Sequence, residues 1–315
     1  MAGRRAAAPE LPAPVRVEAN GLSFAVIDAG SGPGVLLLHG FPDSSYVWRN
    51  QVPALVKAGY RVIVPDLRGF GDSDRPEAVE AYAMGELLRD VRGILRALGV
   101  PRIHVVGHDW GAALAWMFAI TQPQRVDRLV AISVGHPGNF APRSMRQMQL
   151  SWYSWLFQVP GLMEELMPRD DWRFLRTWAG RSADFDRIKE NLSRPGALTA
   201  GLNWYRANDA PQRLLEPTPT FPKIESPVLG VFGAHEFALT EESMTGSAGY
   251  VSGPWRYQRF DDAGHWIQLE QPVKLNQLLV EFLHRDAEEA PTDARARLAR
   301  PAVGLAARLK DVQDT

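Results

Sequence analysis

The sequence has 315 residues, of which 45% are hydrophobic and 23% charged, and its formal net charge is −1. These values are typical of a globular protein with one large α/β domain and an insertion, or with two small domains. The small net charge gives no indication of nucleic-acid binding or of electrostatic attachment to a membrane. The chain contains no cysteine, which excludes disulfides, thiolate metal ligands and a thiol nucleophile.

Short apolar runs alternate with longer amphipathic segments along most of the chain, and this pattern favours βαβ units and a mostly parallel sheet. Residues 1–14 precede the first run; they are rich in Ala, Pro and Arg and predict a flexible arm, not a signal peptide, hence a cytoplasmic protein. An edge strand is predicted near 15–18, antiparallel to the strand after it. Further strands are predicted at 25–28, 35–39, 61–65, 103–107, 129–134, 228–232 and 257–260, and helices at 47–58, 81–98, 110–121 and 273–284.

The alternation breaks between residues 137 and 222, where helical patterns carry many tryptophans. We predict that this segment is a helical cap folded over the carboxyl ends of the strands, where ligands bind in open α/β sheets. For Trp172 and Trp178 we predict a packing role inside the cap. The core then comprises residues 15–136 and 223–285, and residues 286–315 form a tail, a surface helix or a loose segment to which we assign no function.

Residues 107–111 read Gly-His-Asp-Trp-Gly between a predicted strand and a predicted helix. Gly-x-Asp-x-Gly in this context is typical of a nucleophile elbow, a sharp turn that exposes one side chain. A serine at the centre would indicate acyl transfer, whereas the carboxylate of Asp109 indicates attack on an alkyl carbon and an alkyl-ester intermediate. The alternative is that Asp109 only caps the helix, which the elbow spacing disfavours.

Two further residues complete a predicted catalytic triad. His265 lies in a loop after the last predicted strand, and the order nucleophile, acid, histidine is the chain order of this arrangement. An ordinary pKa near about 6.5 suits a general base that acts on water. Glu236, after the strand at 228–232, is the candidate acid that orients the histidine as a charge relay. Four other carboxylates remain as alternatives: Glu241, Glu242, Asp261 and Asp262.

The loop that follows the third strand reads His-Gly-Phe-Pro at residues 39–42. We predict that the backbone N–H groups of Phe41 and Trp110 form an oxyanion hole. They would stabilise the oxygen of the Asp109 carboxyl group that becomes negative when water attacks the ester.

These segments closely resemble the epoxide hydrolases of the α/β-hydrolase fold, over about residues 15–285. The resemblance is densest at residues 39–43, 48–49, 65–73, 107–111 and 264–272. It implies an α/β-hydrolase fold: a mostly parallel eight-stranded sheet with helices on both faces and a helical cap inserted after the sixth strand. Family members often have Asp where Glu236 stands, a change that lengthens the side chain by one methylene and keeps its charge. Haloalkane dehalogenases share these segments with variations, so the segments alone establish the superfamily and not the reaction.

The cap separates the two reactions. Epoxide hydrolases of this group carry two cap tyrosines that hold the epoxide oxygen, one of them four residues before a Phe-Gln-x-Pro-Gly segment, which here is Tyr153. The other lies in a Leu-Asn-Trp-Tyr-Arg context, which here is Tyr205. Each tyrosine alone could be a packing aromatic. Dehalogenases usually hold the halide with the tryptophan after the nucleophile and a second Trp or Asn; Trp110 is present, but Phe41 stands where the Asn often is.

The resemblance implies a hydrolase that converts an apolar epoxide and water to a vicinal diol through an aspartyl ester, without cofactor or metal. We expect no nucleic-acid or membrane partner, and a homodimer stays open. The alternatives are a haloalkane dehalogenase, a catalytically silent binding protein of the same fold, and a serine-type esterase, which the absence of Gly-x-Ser-x-Gly disfavours. The residues predicted to bind the substrate are Phe41, Trp110, Trp204 and Trp266.

Overall fold

One eight-stranded sheet, in the order β1-β2-β4-β3-β5-β6-β7-β8, forms the centre of the molecule. The computed structural model describes residues 10–140, 144–180, 184–210 and 219–284. β1 pairs antiparallel with β2, and β2 with β4, while all other neighbours are parallel. The predicted mostly parallel sheet and its antiparallel edge are therefore confirmed. The strands are β1 (Val15–Ala19), β2 (Leu22–Ala29), β3 (Gly34–Leu38), β4 (Arg61–Pro65), β5 (Ile103–His108), β6 (Val126–Ile132), β7 (Val228–Gly233) and β8 (Trp255–Phe260).

The central strands are apolar on both faces because helices cover both sides of the sheet. All six residues of β5 are buried, as are all six of β7. Near-continuous apolar runs of this kind are typical of parallel strands that have no solvent-facing side. The helices of this part are α1 (Gln51–Lys57), α2 (Met84–Ala97), α3 (Trp110–Thr121), α11 (Glu241–Thr245), α12 (Ile267–Glu270) and α13 (Pro272–His284).

Two predicted boundaries were wrong for local physical reasons. The helix predicted at 47–58 is divided, because a short 3₁₀ turn ends at Trp48 and α1 begins at Gln51. Pro53 lies in the first turn of α1, the part of a helix where a missing backbone N–H is tolerated. The strand predicted at 129–134 runs from Val126 to Ile132, and it ends where Ser133 adopts a φ of 71°.

The part of the chain that connects β6 to β7 forms a layer of helices, and this layer covers the carboxyl ends of the strands. Its contacts include the Trp204 indole, which donates to the carbonyl oxygen of Arg68 after β4. Whether this layer is a separate domain with limits at 137 and 222 stays a prediction. Residues 1–9 of the predicted arm and the predicted tail at 286–315 lie outside the described residues. In the described part of the chain the helices of the layer are α4 (Pro137–Phe140), α5 (Met145–Leu150), α6 (Trp152–Phe157), α7 (Leu162–Leu166), α8 (Arg169–Ala179), α9 (Phe185–Leu192) and α10 (Ala197–Asn208).

The parallel strands direct their carboxyl ends, and the loops that follow them, toward this helical layer. The crevice outside these ends is the usual ligand site of an open α/β sheet. Among the described residues no helix combines the length and the apolarity needed to cross a bilayer.

Candidate active site

Asp109 stands alone between the end of β5 and the start of α3. Its backbone has φ 54° and ψ −125°, a conformation that L-residues rarely adopt and that proteins retain mainly where function needs it. The neighbouring glycines permit the close approach of strand and helix. A Cβ on Gly107 would collide with the carbonyl of Gly111, and one on Gly111 would collide with the carbonyl of Leu38. The elbow geometry that the motif predicts is therefore present.

Two backbone N–H groups hold the Asp109 carboxylate. The N–H of Phe41 donates to Oδ1 at 2.9 Å, and the adjacent N–H of Trp110 interacts favourably with the same carboxylate and lowers its pKa. Gly40 makes the approach of the loop possible, since a Cβ there would overlap the Asp109 side chain. The two groups predicted as an oxyanion hole thus meet at one carboxylate.

His265 lies between two carboxylates. Its Nδ1 is 2.8 Å from Oε2 of Glu236, and its Nε2 is 3.8 Å from Oδ2 of Asp109. The shorter contact is a hydrogen bond, which assigns the Nδ1 proton to the bond with Glu236 and points Nε2 at the nucleophile. The His265 side chain is 4% exposed and that of Glu236 is 1% exposed. The second oxygen of Glu236 accepts the N–H of Ala238 at 2.9 Å.

The alternative carboxylates lie away from His265. Asp261 is 81% exposed and pairs with Arg259, and Asp262 is paired with Lys274 at 3.9 Å. Glu241 accepts the hydroxyl of Tyr257. Of the candidates with a described contact, Glu236 is the one that the fold brings to the histidine.

Burial and the surrounding charges shift the pKa values of the site in opposite directions. Burial alone would lower the pKa of His265, but the charges of Glu236 and Asp109 outweigh it and raise this pKa to about 9. Burial raises the pKa of Asp109, while the His265 charge and the two N–H donors counteract the rise. The carboxylates around His265 therefore favour its protonated form in the resting site.

Glu236→Gln is expected to remove a pH-dependent part of the stability. The pKa of His265 in the folded protein, about 9, lies above its ordinary value of 6.5, so the stabilisation is complete below pH 6.5 and is lost as pH rises through 9. The difference between these two pKa values of His265 corresponds to about 3 kcal/mol in the free energy of unfolding. The variant lacks the charge that most raises this pKa, so its free energy of unfolding should change much less between about pH 6 and pH 10, measured by urea unfolding.

The matched control for this measurement is Asp261→Asn, which removes an exposed carboxylate from the loop that leads to His265. It should keep the wild-type pH dependence. If Glu236→Gln instead retains the wild-type pH dependence, Glu236 does not set the pKa of the histidine.

Tyr153 of α6 and Tyr205 of α10 lie together above the nucleophile, with ring centroids 6.1 Å apart. The Tyr205 ring is 5.2 Å from that of Trp110 and 5.5 Å from that of Phe41, the two residues whose N–H groups hold Asp109. Burial, and then the charge of Asp109, raise the pKa of Tyr205 well above its usual range. Its hydroxyl therefore stays protonated and can act as a donor at any pH near neutrality.

Side chains next to the two tyrosines bind α6 to α10. The Gln158 amide donates to the carbonyl oxygen of Tyr205 at 3.2 Å. In return, Arg206 donates to the carbonyl oxygen of Phe157 at 2.9 Å and pairs with Glu164 at 2.8 Å. The relative position of the tyrosines is thus set by bonds between residues that adjoin them in sequence.

Trp204 and Trp266, both predicted to contact substrate, lie deeper than expected. Each is almost completely buried, and each indole donates to the protein itself: Trp204 to the Arg68 carbonyl at 3.0 Å and Trp266 to the Asp43 carboxylate at 2.9 Å. A substrate contact by either residue stays a prediction, since these bonds also account for their positions by packing alone.

Three further residues lie at the site, none of which was predicted to take part in it. Asp43 is buried, and burial raises its pKa to about 7, with the indole hydrogen bond of Trp266 and the His265 charge opposing the rise. The Phe237 ring lies 5.5 Å from that of His265. Trp178, predicted to pack inside the cap, does pack against Tyr153 of the helical layer at 4.8 Å, and its ring also lies 6.1 Å from that of Phe41. Adjacency to Glu236 could have indicated Phe237; no sequence signal marks Trp178.

This fold, with a carboxylate on the elbow and a histidine paired to a second carboxylate, defines an α/β hydrolase with an aspartate at the nucleophile position. A family model described as alpha/beta hydrolase fold matches residues 33–272. The chain is 36% identical over 281 residues to AB hydrolase superfamily protein YfhM of Bacillus subtilis, covering 85% of this chain and 96% of the relative.

Other relatives with described functions are epoxide hydrolases. Epoxide hydrolase A of Mycobacterium tuberculosis is 35% identical over 312 residues, covering 85% of this chain and 96% of the relative. A solved structure described as novel epoxide hydrolases from metagenomes of hot environments is 29% identical, with a TM-score of 0.79, and covers 88% of this chain and 100% of its own. The chain belongs to the epoxide hydrolase family of the α/β-hydrolase fold.

Proposed function

We propose that the protein is an epoxide hydrolase that adds water to an apolar epoxide and releases a vicinal diol through a covalent ester on Asp109. The observation that carries the proposal is the position of Tyr205, whose ring packs against both residues that hold Asp109. A phenol and a nucleophilic carboxylate therefore face the same space, with Tyr153 beside the phenol. The names of the relatives support the same class of substrate.

Ring opening needs an acid as well as a nucleophile. Displacement at an epoxide carbon releases an alkoxide, whose basicity resembles that of hydroxide, so it leaves readily only when a proton is donated to it. Two tyrosine hydroxyls can donate to both lone pairs of the ring oxygen while Asp109 attacks the carbon from the opposite side. Ester formation removes the Asp109 charge, which helps to raise the pKa of Tyr205. Tyr205 therefore becomes a stronger acid as the alkoxide forms.

Ester hydrolysis uses the other half of the site. Water attacks the carbonyl carbon of the Asp109 ester, and its proton passes to Nε2 of His265, which must be neutral to accept it. The loss of the Asp109 charge lowers the pKa of His265 at this step, since that charge is one of its causes. The N–H groups of Phe41 and Trp110 stabilise the oxyanion. Collapse of this intermediate breaks the bond to the alcohol oxygen, which takes up a proton, and restores the carboxylate.

The same nucleophile could displace a halide, but the donors of the site favour an epoxide. A halide leaves without a proton and needs no phenol. The Trp110 indole, which in dehalogenases helps to hold the halide, here packs against Tyr205, with ring centroids 5.2 Å apart. An assay with styrene oxide beside a bromoalkane tests the proposal: diol formation without bromide release is expected, and bromide release without diol would overturn it.

Tyr153→Phe and Tyr205→Phe are each expected to slow ring opening by about 30- to 1,000-fold, because a lost donor to developing negative charge costs ~2–4 kcal/mol. The double variant should be slower still, because it retains no phenol for the leaving oxygen. Hydrolysis of an ester already formed should be little affected. Rapid-mixing measurements of ester formation and decay separate the two steps.

Tyr257→Phe is the control, since Tyr257 lies on β8, outside the site, and its hydroxyl bonds to Glu241 of α11. It should open epoxides at the wild-type rate. If the double Phe variant opens epoxides at the wild-type rate, Tyr153 and Tyr205 are packing residues only.

A further inference from the structure

The backbone carbonyl of His265 lies against two hydrogen-bond donors at the ends of the central strands. The imidazole of His108, the last residue of β5, has its Nε2 2.8 Å from this oxygen. The hydroxyl of Ser133, directly after β6, donates to the same oxygen at 3.3 Å. The proposed base is therefore held at two points, since Glu236 binds its ring at Nδ1 while these two donors bind its main chain.

The bond to the His265 carbonyl fixes the position of the proton on the His108 ring. A carbonyl oxygen can only accept a hydrogen bond, so the proton of the neutral ring lies on Nε2. Nδ1 is buried and has no hydrogen-bond partner among the described residues, so a second proton there would find no acceptor. Burial, and then the charge of His265, lowers the pKa of His108 well below its ordinary value. His108 therefore stays a neutral donor beside His265, with the two ring centroids 4.6 Å apart.

His108 also directly precedes Asp109, so one residue connects the proposed base to the nucleophile. Its backbone is fixed in the sheet by pairing with Ile132 of β6, and its side chain is completely buried. Nε2 of His265 lies 3.8 Å from Oδ2 of Asp109, a separation too long for a hydrogen bond. This separation matters most in ester hydrolysis, because Nε2 must then accept a proton from the water that attacks the Asp109 ester.

We propose that His108 is a positioning residue for ester hydrolysis, and that its bond to the His265 carbonyl, together with that of Ser133, sets the distance between the base and the Asp109 ester. His108 acts through His265 alone. This inference rests on the proposed function, because only a mechanism with an ester on Asp109 has a separate hydrolytic step.

The residues on either side of His265 are held by a different group. The carboxylate of Glu270 accepts the N–H of Gly264 at 2.8 Å and that of Trp266 at 3.2 Å. Loss of the His108 donor should therefore leave the loop folded and release only the carbonyl of His265. A displacement of a reacting group by about 1 Å can cost about 100-fold in rate, so even this local release has a measurable effect.

The test compares His108→Leu, which removes the donor, with His108→Gln, whose amide nitrogen occupies the same place along the side chain and can donate. In single turnovers of styrene oxide, His108→Leu should slow ester decay by about 10- to 100-fold. Ester formation should stay within about threefold of the wild-type rate, because ring opening transfers no proton to His265. In the steady state kcat and KM should fall together, since the ester accumulates, and His108→Gln should recover most of the decay rate.

His104→Leu is the matched control, because it replaces another buried histidine of β5 whose Nδ1 has no partner among the described residues. It should leave ester formation and decay unchanged. Should His108→Leu fail to fold, Ser133→Ala tests the same carbonyl from β6: slower decay with unchanged formation supports the proposal, and unchanged decay overturns it.

Three results with a folded His108→Leu variant overturn the proposal: wild-type ester decay, equal slowing of ester formation and decay, or an equal defect in His108→Gln. The last two would reduce His108 to a packing residue. A wild type that forms no ester on Asp109 with styrene oxide, measured by intact mass after rapid quenching, overturns the proposed function itself, and this inference with it.

Discussion

Replacing Asp109 by alanine is expected to abolish the conversion of epoxides to diols, with a loss in kcat of about 10⁴-fold or more, as for the removal of other covalent nucleophiles. The reason is positional as well as chemical. Asp109 is the carboxylate at the centre of the elbow, and the N–H groups of Phe41 and Trp110 converge on it. Glu236 is bonded to His265 and cannot take its place. Diol release from styrene oxide measures the loss.

The control for the fold is Asp109→Asn. Asparagine tolerates the positive φ of this position better than alanine does, so it separates backbone strain from the loss of the carboxylate. Both variants should unfold cooperatively within a few degrees of the wild type. Diol formation by the alanine variant at near the wild-type rate would exclude Asp109 as the nucleophile.

Isotope labelling tests the same step in the unaltered protein. In a single turnover in ¹⁸O-water, the oxygen added to the epoxide should come from the Asp109 carboxylate and the diol should be unlabelled. The label should instead enter Asp109, where peptide mass measurement locates it. A labelled diol in the first turnover would mean that water attacks the epoxide directly.

His265→Gln is expected to allow ring opening and to block ester hydrolysis, so that an adduct on Asp109 accumulates. Glutamine can donate to Glu236 but cannot accept the proton of the attacking water at neutral pH. Intact-mass measurement should show one added mass equal to that of the epoxide, and diol release should cease after about one turnover. Loss of the histidine charge also raises the pKa of Asp109, so adduct formation is best followed over a range of pH that extends above neutrality.

His235→Gln is the matched control, because His235 is an exposed histidine in the loop that carries Glu236. It should turn over epoxides without a lasting adduct. Sustained turnover by His265→Gln with no adduct would remove His265 from the hydrolytic step, whereas loss of adduct formation would place it in ring opening.

The strands and turns that a local sequence pattern specifies were predicted correctly. The buried strands β4 and β5 are apolar runs bounded by turn residues, and the segment at 107–111 specifies its own sharp turn between strand and helix. The predicted bounds of α1 and β6 were wrong because the backbone conformation at single residues sets them, at Pro53 within α1 and at Ser133 after β6. Apolar periodicity continues across such positions, so it cannot locate them.

Two features of the site could not be predicted because they depend on neighbours that are distant in the chain. Trp178 lies in an amphipathic helix and resembles any packing residue, yet its ring neighbours come from residues 41, 153 and 237. The carboxyl group of Asp43 has a raised pKa because the fold buries it beneath Trp266, more than two hundred residues further along.

The sequence by itself determined which side chain stands at the elbow, since the residue type of Asp109 and its flanking glycines are local properties of five consecutive positions. It also indicated which histidine and which carboxylate accompany it, because their order along the chain follows the order of the strands. Only the tertiary structure decided the protonation of His265 and the lowered pKa of the neighbouring His108. Both depend on burial, and burial arises only when segments far apart in sequence exclude water from a common space.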